Sequence, residues 1–81
     1  MPVLTLYGKP GCHLCDDARA VVGEVVAGRN VTLREVDVTL DPALERRYGE
    51  RIPVVALDGD ELFEYAVDAD ALRKRLDRVE S

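Results

Sequence analysis

Two cysteines separated by two residues are the part of this sequence best suited to chemistry. Cys12 and Cys15 enclose His13 and Leu14, and the chain contains no third cysteine. A thiolate is a strong nucleophile, and on a helix the side chain three residues later lies beside the first. The spacing therefore predicts a two-step exchange. Cys12 attacks the disulfide of a substrate, and Cys15 then attacks the mixed disulfide, which releases reduced substrate and leaves a Cys12–Cys15 disulfide.

Some neighbours of Cys12 stabilise its thiolate form and others destabilise it. The cysteine lies where a strand is predicted to end and a helix to begin, and the free N–H groups and positive dipole end of a helix stabilise a thiolate. A protonated His13 adds to this effect, although a solvated imidazole without a role is an equal alternative. Asp16 and Asp17 oppose it, and Lys9 offsets them if its ammonium group folds back over the site.

The cysteine pair has other possible uses. A structural disulfide here closes a very short loop, and the stabilisation by a disulfide falls as its loop shortens. A closed zinc site needs four ligands, whereas Cys12, His13 and Cys15 supply three, so we expect no metal ion held by one chain. Thiolates from two chains can share a cluster. The sequence thus predicts an oxidoreductase, with two alternatives: an iron–sulfur cluster carrier that uses Cys12 with an external thiol, and an interaction module without catalytic thiols.

The elements around the cysteines follow from the apolar pattern. Val3–Tyr7 is mostly apolar and predicts a strand buried on both faces in the interior of a sheet. Turn residues interrupt it, and a helix follows from Cys12 until Gly28 ends it. One face of this helix is predicted to be apolar and buried, and comprises Leu14, Ala18, Val21, Val22 and Val25.

The middle of the chain predicts a second strand and a short helix. Residues 31–38 alternate between apolar and polar with one slip, which is typical of a strand. Asp41 and Pro42 then suit the cap and first position of a helix that ends at Gly49.

The last third predicts a hairpin and a helix. Pro53–Leu57 and Glu61–Tyr65 are strand-like runs, and Asp58 with Gly59 between them is a tight hairpin signal. Asp68 is a suitable cap for a final helix, whose predicted apolar face comprises Leu72, Leu76 and Val79. The expected fold is α/β, in the order β-α-β-α-β-β-α, with a four-stranded mixed sheet covered by helices in a single domain over residues 1–81.

Charge and composition restrict the partners. The chain carries 11 Lys and Arg against 16 Asp and Glu, a net charge of −5, so a basic footprint for nucleic acid is absent. Its apolar runs are too short for a membrane-spanning helix, and its N-terminus lacks the pattern of a secretory signal. We expect a cytoplasmic monomer that acts on a disulfide-containing protein or a small thiol substrate, without nucleic acid or membrane.

Two segments resemble a known family. Residues 7–15, with the sequence YGKPGCHLC, are similar to the active-site segment of glutaredoxins, and residues 51–55, RIPVV, are similar to their later proline segment. The short length and the element order also match the minimal thioredoxin fold. More narrowly, the chain resembles small bacterial glutaredoxin-like proteins. The resemblance implies a thiol–disulfide oxidoreductase that serves electron transport and cell redox homeostasis.

The resemblance assigns roles to individual residues. Cys12 is then the nucleophile and Cys15 the resolving thiol. Pro53 corresponds to a proline with a cis peptide bond that packs against the dithiol, although a trans proline that opens an edge strand is the alternative. Ile52 offers its backbone groups to the substrate. Lys9 faces the glycyl carboxylate of glutathione, unless it is simply a solvated lysine.

Other positions depart from the family pattern. His13 and Leu14 replace the common Pro-Tyr pair, and residues 65–68 replace the Gly-Gly turn that receives the γ-glutamyl end of glutathione. Asp68 can bind an α-ammonium group, or can act only as a helix cap. The resemblance therefore implies no tightly bound cofactor, and glutathione or another low-molecular-weight thiol is a possible co-substrate.

Overall fold

The computed structural model describes residues 2–80, with side chains described for residues 2–79. Its elements are β1 (Val3–Gly8), α1 (His13–Val26), β2 (Thr32–Asp37), a 3₁₀ turn (Val38–Leu40), α2 (Pro42–Tyr48), β3 (Val54–Leu57), β4 (Asp60–Glu64) and α3 (Ala69–Glu80). This order confirms the predicted β-α-β-α-β-β-α arrangement. The predicted ends of the strands differ from the observed ones by at most one residue.

The four strands form one mixed sheet in the order β2-β1-β3-β4. β1 is parallel to β2 and antiparallel to β3, and β3 is antiparallel to β4. β1 therefore lies in the interior of the sheet, as predicted. Its burial was predicted on both faces, but only Leu4, Leu6 and Gly8 are fully buried, because the residues between them face a side that the short helix α2 covers incompletely.

Helices cover both faces of the sheet. One buried cluster joins β1 and β3 to α1 and α3, and comprises Leu4, Leu6, Ala18, Val22, Val25, Val55, Leu57, Leu72 and Leu76. A second cluster comprises Cys15, Val38, Tyr48, Ile52 and Val54. Because neighbouring residues of a strand point to opposite faces, α1 and α3 lie on one face of the sheet and α2 lies on the other.

Two residues predicted for the buried helix faces are exposed instead. Leu14 is 51% exposed, because it lies in the first turn of α1, to one side of the arc that Ala18, Val22 and Val25 bury. Val79 is 42% exposed, because it lies in the last turn of α3, where the core ends. The prediction that both side chains are buried is wrong.

Local capping and turn signals are confirmed. The Oδ1 atom of Asp41 accepts a hydrogen bond from the amide of Ala43 at 2.9 Å at the start of α2. Asp58 and Gly59 both have positive φ, 50° and 91°, as the tight hairpin turn between β3 and β4 requires. Among the described residues, no helix is both long enough and apolar enough to cross a membrane.

Candidate active site

The two cysteines meet at the start of α1. Cys12 is the N-cap residue with extended backbone, and its Sγ accepts a hydrogen bond from the amide of Cys15 at 3.3 Å. The amide of Asp16 donates to the carbonyl oxygen of Cys12 at 3.0 Å. The first sulfur therefore lies at the positive end of the helix dipole, in contact with an N–H group that the helix itself leaves unpaired.

The two thiols differ in exposure. Both are free, and Cys12 is half-buried whereas Cys15 is fully buried. Burial, with a smaller contribution from the hydrogen bond with Cys12, raises the pKa of the Cys15 thiol to about 11, although the backbone amide of Lys9 has a lowering effect. At neutral pH, therefore, the outer sulfur is the approachable one and the inner sulfur keeps its proton.

Gly8 allows the inner sulfur to pack against the end of β1. A Cβ atom at this position would lie 3.0 Å from the Sγ of Cys15, closer than such atoms normally approach. The sequence predicts Gly8 as part of the turn after β1 and of the active-site segment 7–15, but it does not predict this contact. Its signal was a glycine at the end of a buried strand, four residues before the first cysteine.

The later proline segment forms another side of the site. The Ile52–Pro53 peptide bond is cis, as the resemblance implied. Ile52 is buried in the same cluster as Cys15, and the partly buried Cys12 packs against that cluster. The structure thus brings residues 52 and 53 to the dithiol across about forty residues of sequence.

Two aromatic rings and an arginine support this region. The rings of Tyr7 and Tyr48 are stacked with centroids 4.2 Å apart. The guanidinium of Arg51 lies over the Tyr48 ring, and its Nη1 pairs with Glu61 at 2.7 Å and with Glu64 at 3.2 Å. The hydrogen bond from Arg51 lowers the pKa of Glu61. Neither the stacked rings nor the ion pairs are predicted from the sequence, since nothing in it signals contacts between residues this far apart along the chain.

The other predicted substrate-binding residues lie on the surface. Lys9 and His13 are exposed. Lys9 borders an open groove beside α2 whose lining includes Arg46 but also Glu45 and Glu50, so its charges are mixed. Asp68 is exposed, and its Oδ1 accepts a hydrogen bond from the amide of Ala71 at 3.1 Å, which confirms its capping role. The described residues contain no cluster of three or more His, Cys, Asp or Glu suited to a metal ion.

Comparison with known sequences gives the family. Residues 3–77 match the family model described as Glutaredoxin-like domain (DUF836). An uncharacterised protein of Mycobacterium tuberculosis is 30% identical over 82 residues, which span 95% of this chain and 84% of that protein. Its name states no activity, so this similarity shows a relationship between the two proteins and does not identify a reaction.

Solved structures agree on the fold. Protein XcR50 from X. campestris is 41% identical with a TM-score of 0.76, over 93% of this chain and 96% of that one. Protein Ne2328 from Nitrosomonas europaea is 28% identical with a TM-score of 0.76, over 91% and 89%. A mutant thioredoxin from Halobacterium salinarum is 26% identical with a TM-score of 0.74, over 99% and 75%. These similarities confirm the minimal thioredoxin fold.

Proposed function

The chain belongs to the glutaredoxin-like domain family, and from that premise we propose that it is a thiol–disulfide oxidoreductase in which Cys12 is the nucleophile and Cys15 the resolving thiol. The thioredoxin-like fold supports a thiol redox role. The observation that carries the proposal is the asymmetry of the pair: a half-buried sulfur that accepts a helix N–H at 3.3 Å, beside a fully buried second sulfur.

Reduction of the substrate disulfide takes two thiol–disulfide exchanges. The Cys12 thiolate attacks one sulfur of the substrate disulfide, a new S–S bond forms, and the other substrate sulfur leaves as a thiolate that takes up a proton. Cys15 then loses its proton and attacks the Cys12 sulfur, which expels the second substrate thiolate. The substrate disulfide has gained two electrons and the dithiol has lost them. An external thiol restores the dithiol by the reverse exchanges.

The burial of Cys15 supports this division of roles. A thiol with a pKa of about 11 is almost wholly protonated at neutral pH, so it does not compete with Cys12 for an incoming disulfide. The amide of Lys9 faces the Cys15 sulfur and has a lowering effect on its pKa, which favours the anion at the moment of attack.

The proposal extends to the surroundings of the dithiol. Ile52 and Pro53 present backbone groups to the substrate, and Lys9, His13 and Asp68 contribute charge around it. The reductant is glutathione or another low-molecular-weight thiol, the substrate is a disulfide-containing protein or small disulfide, and the protein acts as a monomer in the cytoplasm.

The test compares the two single cysteine variants. We expect Cys12→Ser to abolish reduction of a small disulfide such as bis(2-hydroxyethyl) disulfide, because the variant has no accessible sulfur. We expect Cys15→Ser to accumulate a mixed disulfide on Cys12, which intact-mass spectrometry detects as one added substrate half. Variants that both match the parent in this assay overturn the proposal. Glu24→Ala, an exposed substitution later in the same helix, is the matched control and should retain activity.

A further inference from the structure

Tyr65 has a backbone conformation that tyrosine rarely adopts. Its φ is +69°, in the left-handed region, where a bulky side chain is strained by roughly 1 kcal/mol or more. The other described non-glycine residue of this kind, Asp58, belongs to the hairpin turn between β3 and β4, which requires the conformation. Tyr65 directly follows the end of β4 and is the central residue of a γ-turn, a rare and strained turn type with positive φ at that position.

Two hydrogen bonds hold this backbone in place. The amide of Tyr65 donates to the carbonyl oxygen of Pro53 at 2.9 Å, and the amide of Ala66 donates to that of Glu64 at 2.8 Å. The strained residue is therefore fastened to the proline segment that packs beside the dithiol.

The sheet register places Tyr65 near the cysteines. Tyr7 pairs with Val54, and Val54 pairs with Glu64. The next row across the sheet consists of Gly8, Pro53 and Tyr65. Neighbouring strands are about 4.8 Å apart, so the backbone of Tyr65 lies roughly 10 Å from Gly8, which touches the Cys15 sulfur. A few residues of an extended chain bound at Cys12 span that distance.

The side chain of Tyr65 is also exposed. The described surface carries four exposed large apolar residues: Leu14, Leu40, Tyr65 and Val79. Tyr65 is 49% exposed, and Leu14, 51% exposed, lies two residues after Cys12. About half of this large side chain is therefore left accessible to a bound partner in the free protein.

We propose that Tyr65 determines substrate specificity, by packing its ring against an apolar side chain beside the disulfide of an extended protein segment. This inference rests on the proposed function and names its substrate class. Glutathione disulfide has charged ends and lacks a large apolar side chain beside its cysteines, so it offers nothing for the Tyr65 ring to pack against.

The test is a single-turnover exchange that needs no added reductant. The reduced protein donates two electrons to the substrate disulfide, which becomes two thiols while Cys12 and Cys15 form a disulfide. Two peptides, each closed by one disulfide, differ only in a leucine or a serine beside the cysteine. Oxidised glutathione is the third substrate. The dependence of the rate on substrate concentration gives the half-saturating concentration and the limiting rate separately.

We expect Tyr65→Ala to raise the half-saturating concentration for the leucine peptide by about three- to tenfold, the usual contribution of an aromatic contact. The half-saturating concentrations for the serine peptide and for oxidised glutathione should change by less than about twofold. Tyr65→Phe should behave as the parent. Val79→Ala removes an equally exposed apolar side chain about 15 Å along α3 from its first residue, and should change none of the three substrates.

A stability measurement separates this role from a structural one. Glycine tolerates positive φ, so Tyr65→Gly should keep or raise the midpoint of urea unfolding. It should raise the half-saturating concentration for the leucine peptide as Tyr65→Ala does. A lower midpoint for Tyr65→Gly, or equal effects of Tyr65→Ala on all three substrates, overturns the inference. A parent protein that exchanges with no substrate overturns the proposed function instead.

Discussion

At the scale of single residues, the same side chain has two different properties in one helix. Cys12 caps α1 and is half-buried, whereas Cys15 lies one turn later and is fully buried. A neutral thiol is easily accommodated in an apolar cluster, but a thiolate there loses its hydration, which is why burial raises the pKa of Cys15. Exposure and the helix N–H at Cys12 therefore separate the attacking sulfur from the resolving one.

This difference predicts how stability depends on pH. The folded pKa of Cys15, about 11, lies above the value of 9.0 for an unperturbed thiol. As pH rises through 9, the unfolded chain loses this proton first, so the free energy of unfolding of the reduced protein falls between pH 9 and 11. The contribution of Cys15 is full below pH 9, and the expected loss is at most about 3 kcal/mol.

Urea unfolding of the reduced protein from pH 8 to 11 measures this loss. The matched variant is Cys15→Ala, which lacks the titrating thiol and should show a shallower decline over the same range. Parallel declines in the two proteins would contradict a raised pKa of Cys15.

At the scale of elements, the ends of strands and the start of a helix form the site. β1 ends at Gly8 against the Cys15 sulfur, and α1 begins directly after Cys12. β3 begins directly after Pro53, and Arg51 ties this approach to β4 through Glu61 and Glu64. Backbone groups at such ends have no partner within their own element, so they are free to bind a sulfur or a substrate.

Two glycines of different elements give an opposed pair of predictions. Gly23 lies inside α1, and a Cβ atom there meets no atom within 4 Å, so Gly23→Ala should raise the free energy of unfolding by up to about 1 kcal/mol. Gly59 has a φ of +91° in the hairpin turn, so Gly59→Ala should lower it by more than about 1 kcal/mol. Urea unfolding compares both variants with the parent. Shifts of the same sign would contradict the assigned helix and turn.

At the scale of the whole molecule, the described core consists of two apolar clusters, and α1 contributes residues to both. The larger cluster holds α1 and α3 against one face of the sheet. The smaller cluster packs α2 against the other face and also includes Cys15, from the start of α1. β1 and β3 contribute residues to both faces. We therefore expect the chain to unfold in one cooperative transition, with the site losing its geometry only when the sheet does.

Leu72→Ala tests this division. Leu72 is fully buried in the larger cluster, so its truncation should lower the free energy of unfolding by about 2 to 5 kcal/mol. Under conditions where the variant remains folded, the rate of Cys12 alkylation should stay within about twofold of the parent, because the dithiol packs in the other cluster. Val79→Ala is the exposed control and should cost less. A folded Leu72→Ala protein with a strongly altered alkylation rate would show that the two clusters are coupled.

The sequence by itself determined what depends on a few neighbouring residues. The cysteine spacing, the caps at Asp41 and Asp68 and the hairpin turn all rest on hydrogen bonds or backbone preferences within four residues, so local reading was sufficient. The resemblance to glutaredoxins added the cis Ile52–Pro53 bond, which composition and spacing do not reveal.

Only the tertiary structure decided which distant residues meet. The exposure of Leu14 and the contact of Gly8 with Cys15 depend on how α1 lies against the sheet. The position of Tyr65 beside Pro53 depends on the register of β3 and β4. These contacts depend on packing and strand pairing summed over many residues. A small difference in helix orientation or strand register would move them, and the residues next to each contact in the sequence do not specify either.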